Sequence, residues 1–383
     1  MNGVAANGIP VARIFGIEVR IHLSWVLIIA MITVAMGGQL ATSQPGWSEA
    51  LRWVAAAVVA FLFLLSVLAH ELAHGVVARS RGMGGGSVTL LFFGGAATEG
   101  NPPARPGDEA LVAAAGPVAS GVLTATFFVA SVAGASVPGT MGDAVAQVAL
   151  VLASLNALLG LLNLLPVYPL DGGRILRAAI WRATGSERQS TRGVVIVSRV
   201  LGWVLIGGGV AVLLTGDSLD GVMLAICGWF LSATARTVER RQALADLLRG
   251  MRVESAMERD LPAVSPQLTL DTFAAQYLAS GEGTSLPVMR DDALLGLIGI
   301  SQLRRIRRSS WPTMRAADVM VSPPALPTLA PEDELWGALE RLRGTGLDGL
   351  PVLRGGVLLG VLTRRGIVRV IQARGRPAVG ATP

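Results

Sequence analysis

The sequence contains no lysine and only one cysteine, Cys227, and charged residues make up just 15% of its 383 positions. A single cysteine cannot form an intrachain disulfide, so the chain gives no sign of an oxidising compartment. Soluble globular proteins carry about 25% charged residues. The scarcity of charge, together with 52% hydrophobic residues, predicts that much of the chain lies in a lipid bilayer.

All 32 basic residues are therefore arginine, and the formal net charge is +6. In a soluble protein such a charge would favour nucleic-acid binding. The arginines lie instead at the ends of apolar segments, where the positive-inside rule accounts for them. We therefore expect the charge to set the membrane orientation, and we expect no nucleic-acid partner.

Six apolar segments approach or exceed the roughly 20 residues that a helix needs to cross a bilayer. Arginine-rich loops follow the second, fourth and sixth segments, whereas the alternate loops are acidic and contain only Arg52 as a basic residue. The positive-inside rule then predicts a multi-pass protein of the plasma or inner membrane, with both termini and the C-terminal region in the cytoplasm. The segments are 22–40, 52–78, 110–134, 144–165, 194–215 and 221–235.

Composition divides the chain into four parts. Residues 1–235 contain the apolar segments, 236–250 form a basic amphipathic linker, and 376–383 are predicted to be a disordered tail. Residues 251–375 contain two similar units, at about 252–310 and 316–375. Leu286-Pro287-Val288 in the first unit matches Leu350-Pro351-Val352 in the second. Each unit is predicted as strand–helix–strand–strand–helix.

Residues 86–98 combine β-branched and aromatic residues with glycines near both ends. This pattern predicts a short β-hairpin close to the membrane. A glycine-rich connector is the alternative.

The motif His70-Glu71-Leu72-Ala73-His74 lies inside the second apolar segment. On a helix, residues i and i+4 share one face, so both imidazoles can bind one zinc ion with Glu71 beside them. Ionisable residues inside a membrane span are costly and are usually functional. The motif therefore indicates a zinc site, and the alternative is a polar patch that hydrogen bonds satisfy between helices.

A catalytic zinc ion usually has three protein ligands and an open position for water. Asp171 is the leading candidate for the third ligand, because it follows the fourth segment after two prolines and precedes two glycines. Prolines end a helix and glycines permit a sharp turn. The remaining histidine, His22, opens the first segment beside Trp25. An anchoring or packing role at the interface is more typical of such a histidine than zinc binding.

The two motifs, H-E-x-x-H and the later N-x-x-P-x-x-P-x-D-G-G that runs from Asn163, resemble the site-2 protease family of intramembrane metalloproteases. The resemblance covers residues 10–235. It implies that His70, His74 and Asp171 hold one zinc ion per chain and that Glu71 is the general base.

The same resemblance extends to three further positions. It implies that Asn163 holds the substrate backbone or the oxyanion, and a helix-packing hydrogen bond is the alternative role. Gly94 and Gly95 match the glycine-bearing hairpin of the family, which suggests that they contact substrate. Ala115-Gly116-Pro117 matches the start of its third core span.

The C-terminal repeats resemble a tandem pair of cystathionine-β-synthase (CBS) domains, which often bind adenine nucleotides between the repeats. The aspartate that would bind the ribose hydroxyls is replaced by Gln302 in the first copy and by Gly366 in the second, and only Thr363 remains of the hydroxyl residues. We therefore expect weak or no binding of AMP or ATP. The pair is expected to act in dimerisation, in regulation or in substrate access.

The expected fold is an α-helical polytopic membrane protein of about six transmembrane helices with a small membrane-associated β-hairpin, followed by an α/β tandem CBS module. The expected activity is hydrolysis of peptide bonds in or near transmembrane segments of membrane proteins, with anti-sigma-type regulators as the substrate class that the resemblance suggests. One alternative is a CBS-gated transporter or channel with a structural metal site. Another is a catalytically silent scaffold, against which the intact Glu71 argues.

Overall fold

The computed structural model describes residues 8–83, 87–91, 94–97, 103–216, 218–278, 285–291, 293–323 and 325–375. The chain forms two compact units that divide between Arg240 and Arg241. The tail predicted at 376–383 lies outside the described residues.

Long apolar helices dominate the first unit. Within the described residues, six helices are long and apolar enough to cross a membrane, and each of the six predicted segments overlaps one of them. The prediction of a polytopic helical fold is therefore confirmed. In chain order the helices are α1 Ser24–Ser43, α2 Glu49–Ser80, α3 Pro106–Ala135, α4 Thr140–Asn163, the short amphipathic α5 Asp171–Thr184, α6 Glu187–Leu214 and α7 Ser218–Leu248.

Local sequence signals mark the ends of α2, the helix that carries the histidine motif. The hydroxyl of Ser48 accepts a hydrogen bond from the Leu51 N–H, and Glu49 lies in the first turn beside the positive end of the helix dipole. Beyond the other end, Gly82 adopts a positive φ of 73°, a conformation that stops a helix at little cost in glycine.

The segment predicted as a linker at 236–250 continues a helix. Helix α7 runs without interruption to Leu248, and the division between the two units falls inside it. The sequence places the end of the apolar run at 235, but the backbone hydrogen bonds continue for about three and a half turns because no proline or glycine interrupts residues 229–248.

A four-stranded sheet accompanies these helices. Strands β1 (Ile9–Ile14), β2 (Ile17–Ile21), β3 (Ser87–Leu91) and β4 (Gly94–Ala97) lie in that order. The β1/β2 and β3/β4 pairs are antiparallel, and β2 is parallel to β3. The predicted hairpin is thus confirmed as β3 and β4, but it belongs to a larger sheet.

The sequence analysis missed β1 and β2, although their pattern contains a signal. Ile17, Val19 and Ile21 alternate with Glu18 and Arg20, which is typical of a half-buried strand. The two residues between the strands, Phe15 and Gly16, have φ values of 50° and 77°, as a two-residue hairpin turn requires. The strands were overlooked because they directly precede a membrane span.

The sheet packs beside the histidine motif. Ile17 and Val88 belong to a buried cluster with Leu64 and Val67 of α2. A Cβ atom at Gly75 would lie 2.7 Å from the Cδ1 atom of Ile17, so the first strands lie directly against the helix at the residue after His74.

The second unit contains two matching hairpins. Strands β5 (Ser285–Arg290) and β6 (Ala293–Gly299) pair in the same register as β7 (Gly349–Arg354) and β8 (Val357–Thr363), and each pair has an irregularity at the equivalent position. Each hairpin contributes to an apolar core of its own. The helices of this unit are α8 Leu270–Phe273, α9 Ile300–Leu303, α10 Ala316–Val319, α11 Leu335–Thr345 and α12 Arg364–Gly375.

Candidate metal centre

The two histidines of the motif lie one turn apart on α2 and face the interior of the first unit. Only 3% of His70 and 7% of His74 is exposed. Their Nε2 atoms lie 3.3 Å apart. The i, i+4 spacing therefore brings the two imidazoles together, as the sequence predicts.

Asp171 is the first residue of α5, and two glycines allow it to reach the histidines. A Cβ atom at Gly172 would lie 2.2 Å from the Leu164 carbonyl oxygen, and one at Gly173 would lie 2.6 Å from the Val167 carbonyl carbon. Any larger residue at either position would push α5 away from the loop that precedes it. With glycine at both, the Oδ2 atom of Asp171 lies 3.2 Å from the Nε2 atom of each histidine.

The three atoms form a nearly equilateral triangle with edges of 3.2, 3.2 and 3.3 Å. Ligands about 2.0–2.1 Å from a tetrahedral zinc ion lie about 3.3–3.4 Å from one another, so the triangle has the size that zinc requires. Within the described part of the chain, these residues are the one group of three or more potential ligands close enough to share a metal ion. Two imidazoles and a carboxylate also match zinc by chemistry.

Helix α3 orients both imidazoles. The Nδ1 atom of His74 lies 2.7 Å from the Val112 carbonyl oxygen, and the Nδ1 atom of His70 lies 2.9 Å from the Ser120 hydroxyl. A carbonyl oxygen can only accept, so His74 carries a proton on Nδ1, which leaves Nε2 as the nitrogen that a metal ion could bind. The sequence analysis missed Val112 and Ser120, because neither belongs to a recognisable motif.

Gly116 forms the wall of the site between these two contacts. A Cβ atom there would lie 2.3 Å from the Nε2 atom of His74 and 2.5 Å from that of His70. Glycine is therefore required at this position, because any side chain would occupy the space where the ligand atoms converge.

The Asp171 carboxyl is ionised near neutral pH. Burial by itself would raise its pKa, but the hydrogen bonds and charges of His70 and His74 outweigh burial and hold the pKa at about 2. Only the ionised carboxylate is a good metal ligand, so the site is electrostatically prepared for a cation.

Comparison with known proteins places the chain in a family. Residues 135–207 match the model of peptidase family M50, and residues 316–373 match the CBS domain model. The chain is 35% identical over 370 residues to Rip3 of Mycobacterium tuberculosis, which is provisionally named a zinc metalloprotease, covering 96% of this chain and 93% of that protein. The chain belongs to peptidase family M50. It is thus an intramembrane zinc metalloprotease of the site-2 type, and the predicted enzyme class is confirmed.

Two further relatives of this M50 chain cover different shares of it. The protein sll0528 of Synechocystis, also provisionally named a zinc metalloprotease, is 30% identical over 96% of both chains. The solved site-2 protease of Methanocaldococcus jannaschii is 23% identical, covers 61% of this chain and 95% of its own length, and superposes with a TM-score of 0.40.

The remaining predicted site residues of this M50 protein lie as follows. Glu71 is half-buried on α2, next to His70. Asn163 is the last residue of α4, and its Nδ2 atom donates to the Leu159 carbonyl oxygen at 2.9 Å. Leu159 is on α4 as well, so this contact stays within one helix and is not the hydrogen bond between helices that the alternative role describes. It does not test a role toward substrate.

The predicted hairpin glycines and the third histidine lie in other surroundings. Gly94 and Gly95 lie in β4, paired with Leu91 and Leu90 of β3. The Nδ1 atom of His22 accepts a hydrogen bond from the Ser24 N–H at 3.1 Å, at the start of α1. His22 therefore supports the first turn of a helix and is not a member of the metal group.

Proposed function

We propose that this protein cleaves peptide bonds in or near the transmembrane segments of other membrane proteins, with His70, His74 and Asp171 holding one zinc ion per chain. The observation that carries the proposal is the triangle of ligand atoms, which has zinc dimensions and lies buried in the membrane unit. A cluster of two imidazoles and a carboxylate would be costly there without a function.

Zinc held by these three ligands would bind a water molecule and lower the pKa of that water to about 7. Glu71 takes the proton of the attacking water and passes it to the leaving nitrogen, because it adjoins His70 on the same helix. Val112 and Ser120 hold the imidazoles in one orientation throughout. Asn163 is proposed to hold the substrate backbone or the oxyanion, which requires its amide to leave the Leu159 carbonyl.

Strand β4 is proposed to hold the unwound substrate. A helical peptide bond is shielded by its own turn, so the substrate must become extended before it is cut. Among the described strands β4 is at one edge of the sheet, and it contacts α2. An extended chain can pair with such an edge through main-chain hydrogen bonds, which would place it along Gly94 and Gly95.

The decisive experiment compares wild type with Glu71→Gln in cells that also express single-span membrane proteins, including anti-sigma-type regulators. We expect the wild type to cut at least one of them and Glu71→Gln to lose about 10²–10⁴-fold in rate, because the proton acceptor is removed while the ligands remain. Glu49→Gln is the matched control, since Glu49 is exposed at the start of the same helix. Near-normal cleavage by Glu71→Gln would refute the assignment of the base.

We also propose that the protein lies in the cell membrane with both of its termini in the cytoplasm. Six spans put the two ends of the first unit on one side, and the arginine-rich loops mark that side as cytoplasmic. In a Cys227→Ala background, Arg188→Cys should resist an impermeant thiol reagent in intact cells, whereas Asp143→Cys, in the first turn of α4, should react. Strong labelling at position 188 would reverse the orientation.

The repeat pair is proposed to act in dimerisation or as a filter on substrate access, without binding a nucleotide. In the cleft between the repeats, the Thr363 hydroxyl donates to the Glu258 carboxylate at 2.8 Å, and Arg369 also contacts that carboxylate. Arg259, Asp260 and Arg365 also line the cleft, so a phosphate group there would meet charges of both signs. Glu258 would repel it and already contacts Thr363 and Arg369. Gly366 also lacks a carboxylate for the ribose hydroxyls.

A further inference from the structure

A buried ion pair lies near the metal centre without belonging to it. The Nε atom of Arg177 on α5 donates to the Oε1 atom of Glu109 on α3 at 2.6 Å. Only 2% of the Glu109 side chain and 15% of the Arg177 side chain is exposed. We name this contact the α3–α5 ion pair.

Arg177 also ties α5 to a third helix. Its Nη1 atom lies 3.2 Å from the Oε1 atom of Glu187 and 3.4 Å from the Thr191 hydroxyl, both on α6. Its guanidinium lies over the ring of Trp181, one turn further along α5, at 5.9 Å from the centroid. These contacts fix the orientation of the guanidinium from several sides. A mobile surface arginine would have no such fixed orientation.

The two ends of the α3–α5 ion pair lie on the elements that build the metal centre. Glu109, Val112, Gly116 and Ser120 follow one another along α3 in steps of three, four and four residues. Such steps place all four residues on one face of the helix. That face orients both histidines and forms the wall of the site. Arg177 lies six residues after Asp171 on the same short helix.

We propose that the α3–α5 ion pair sets the position of Asp171 relative to the two histidines and thereby tunes zinc affinity. Glu109 and Arg177 are positioning residues in this proposal, which rests on the proposed metal site. Helix α5 has only 14 residues, and its ligand lies at its very start, so a small shift of the helix moves the carboxylate away from the histidines.

Stability alone is a weak explanation for the α3–α5 ion pair. Burying two charges carries a desolvation cost that their attraction only partly repays, and an apolar pair would pack the helices as well. The charged pair additionally fixes the position of α5 relative to α3, because a charge-assisted hydrogen bond at 2.6 Å tolerates little displacement. Asp171, about 1.7 helix turns before Arg177, needs that accuracy as a metal ligand.

The test removes both charges together, since Arg177→Met alone would take away the ion-pair partner of the buried Glu109 carboxylate. In full-length protein purified in detergent, Glu109→Gln with Arg177→Met should bind zinc about 10–100-fold more weakly in competition with a chelator. Its melting temperature with zinc removed should equal that of the wild type. The matched control is Glu239→Gln with Arg199→Met, which removes an exposed ion pair between α6 and α7 at 3.4 Å and should change neither quantity.

Two outcomes would overturn the proposal. One is wild-type zinc affinity in the neutral pair, and the other is a melting temperature that falls in step with the affinity, which would make the contact structural only. Arg177→Lys, which keeps the charge but not the Nε donor, should give an intermediate affinity. Because zinc is measured without substrate, a wild type that binds zinc but cuts nothing would refute the proposed proteolysis and leave this inference standing.

Discussion

The two units of the molecule differ in which side chains they bury and which they expose. In the first unit, Phe128, Val129 and Trp203 are among many large apolar side chains that are mostly exposed, while histidine, glutamate, asparagine and serine side chains are buried. In the second unit the interior is mostly leucine, valine, isoleucine and alanine, with Phe273 fully buried. Among its described residues, only Leu247, Val357 and Val368 are large, apolar and exposed.

The difference reflects the solvent of each unit. Lipid is as apolar as leucine, so burying apolar surface inside a membrane domain gains little, and packing and hydrogen bonds hold the helices together. Water drives the second unit to bury its apolar residues. A buried polar cluster in the first unit, such as His70, His74 and Asp171, therefore indicates a function. Polar groups in the cleft of the second unit carry no such indication, because polar residues are common at the surface of soluble domains.

The largest expected effect tests whether the buried polar cluster of the first unit binds zinc. Asp171→Ala should lower zinc affinity by more than about 100-fold, because it removes a ligand and even the loss of a partner that only supports a ligand costs about 10–100-fold. Metal content of the purified protein measures this, with the exposed Asp143→Ala as control. Retention of full zinc occupancy would show that Asp171 is not the third ligand.

Two leucine-to-alanine substitutions, one in each unit, compare a leucine buried in the second unit with one exposed on the first. Leu350→Ala, at a fully buried site in β7, should destabilise the second unit by about 2–5 kcal/mol. Leu161→Ala, at a site in α4 that is 66% exposed, should change the stability of the first unit by less than about 0.5 kcal/mol. Hydrogen exchange of β7 and of α4 in the full-length protein gives both values. Equal losses would contradict a lipid-facing position for Leu161.

The smallest expected effect is an absence of binding in the second unit. Titration of the full-length protein with AMP or ATP should give no calorimetric signal at micromolar concentrations, because Glu258 occupies Thr363 and position 366 is glycine. Glu258→Gln serves as the comparison, since it removes the negative charge that a phosphate would meet. A micromolar affinity in the wild type would show that the cleft tolerates the phosphate despite Glu258.

Motifs with local periodicity were predictable from the sequence. The spans follow from runs of apolar residues, and the shared face of His70 and His74 follows from their spacing of four. Asp171 could be chosen because prolines and glycines around it indicate a turn after a span. The two CBS-like repeats follow from repeated residues, and their strands pair in the same register. Only β1 and β2 were missed despite having a local pattern.

The sequence by itself therefore determined which segments cross the membrane, which residues could bind zinc and that the C-terminal region is a repeat. Only the tertiary structure decided what surrounds those residues. The contacts of His74 with Val112, of His70 with Ser120 and of His70 with Asp171 join positions 38, 50 and 101 residues apart. No periodicity relates positions so distant, since their meeting depends on how α3 packs against α2 and α5 against α3. The contact between α3 and α5 also brings Arg177 to Glu109.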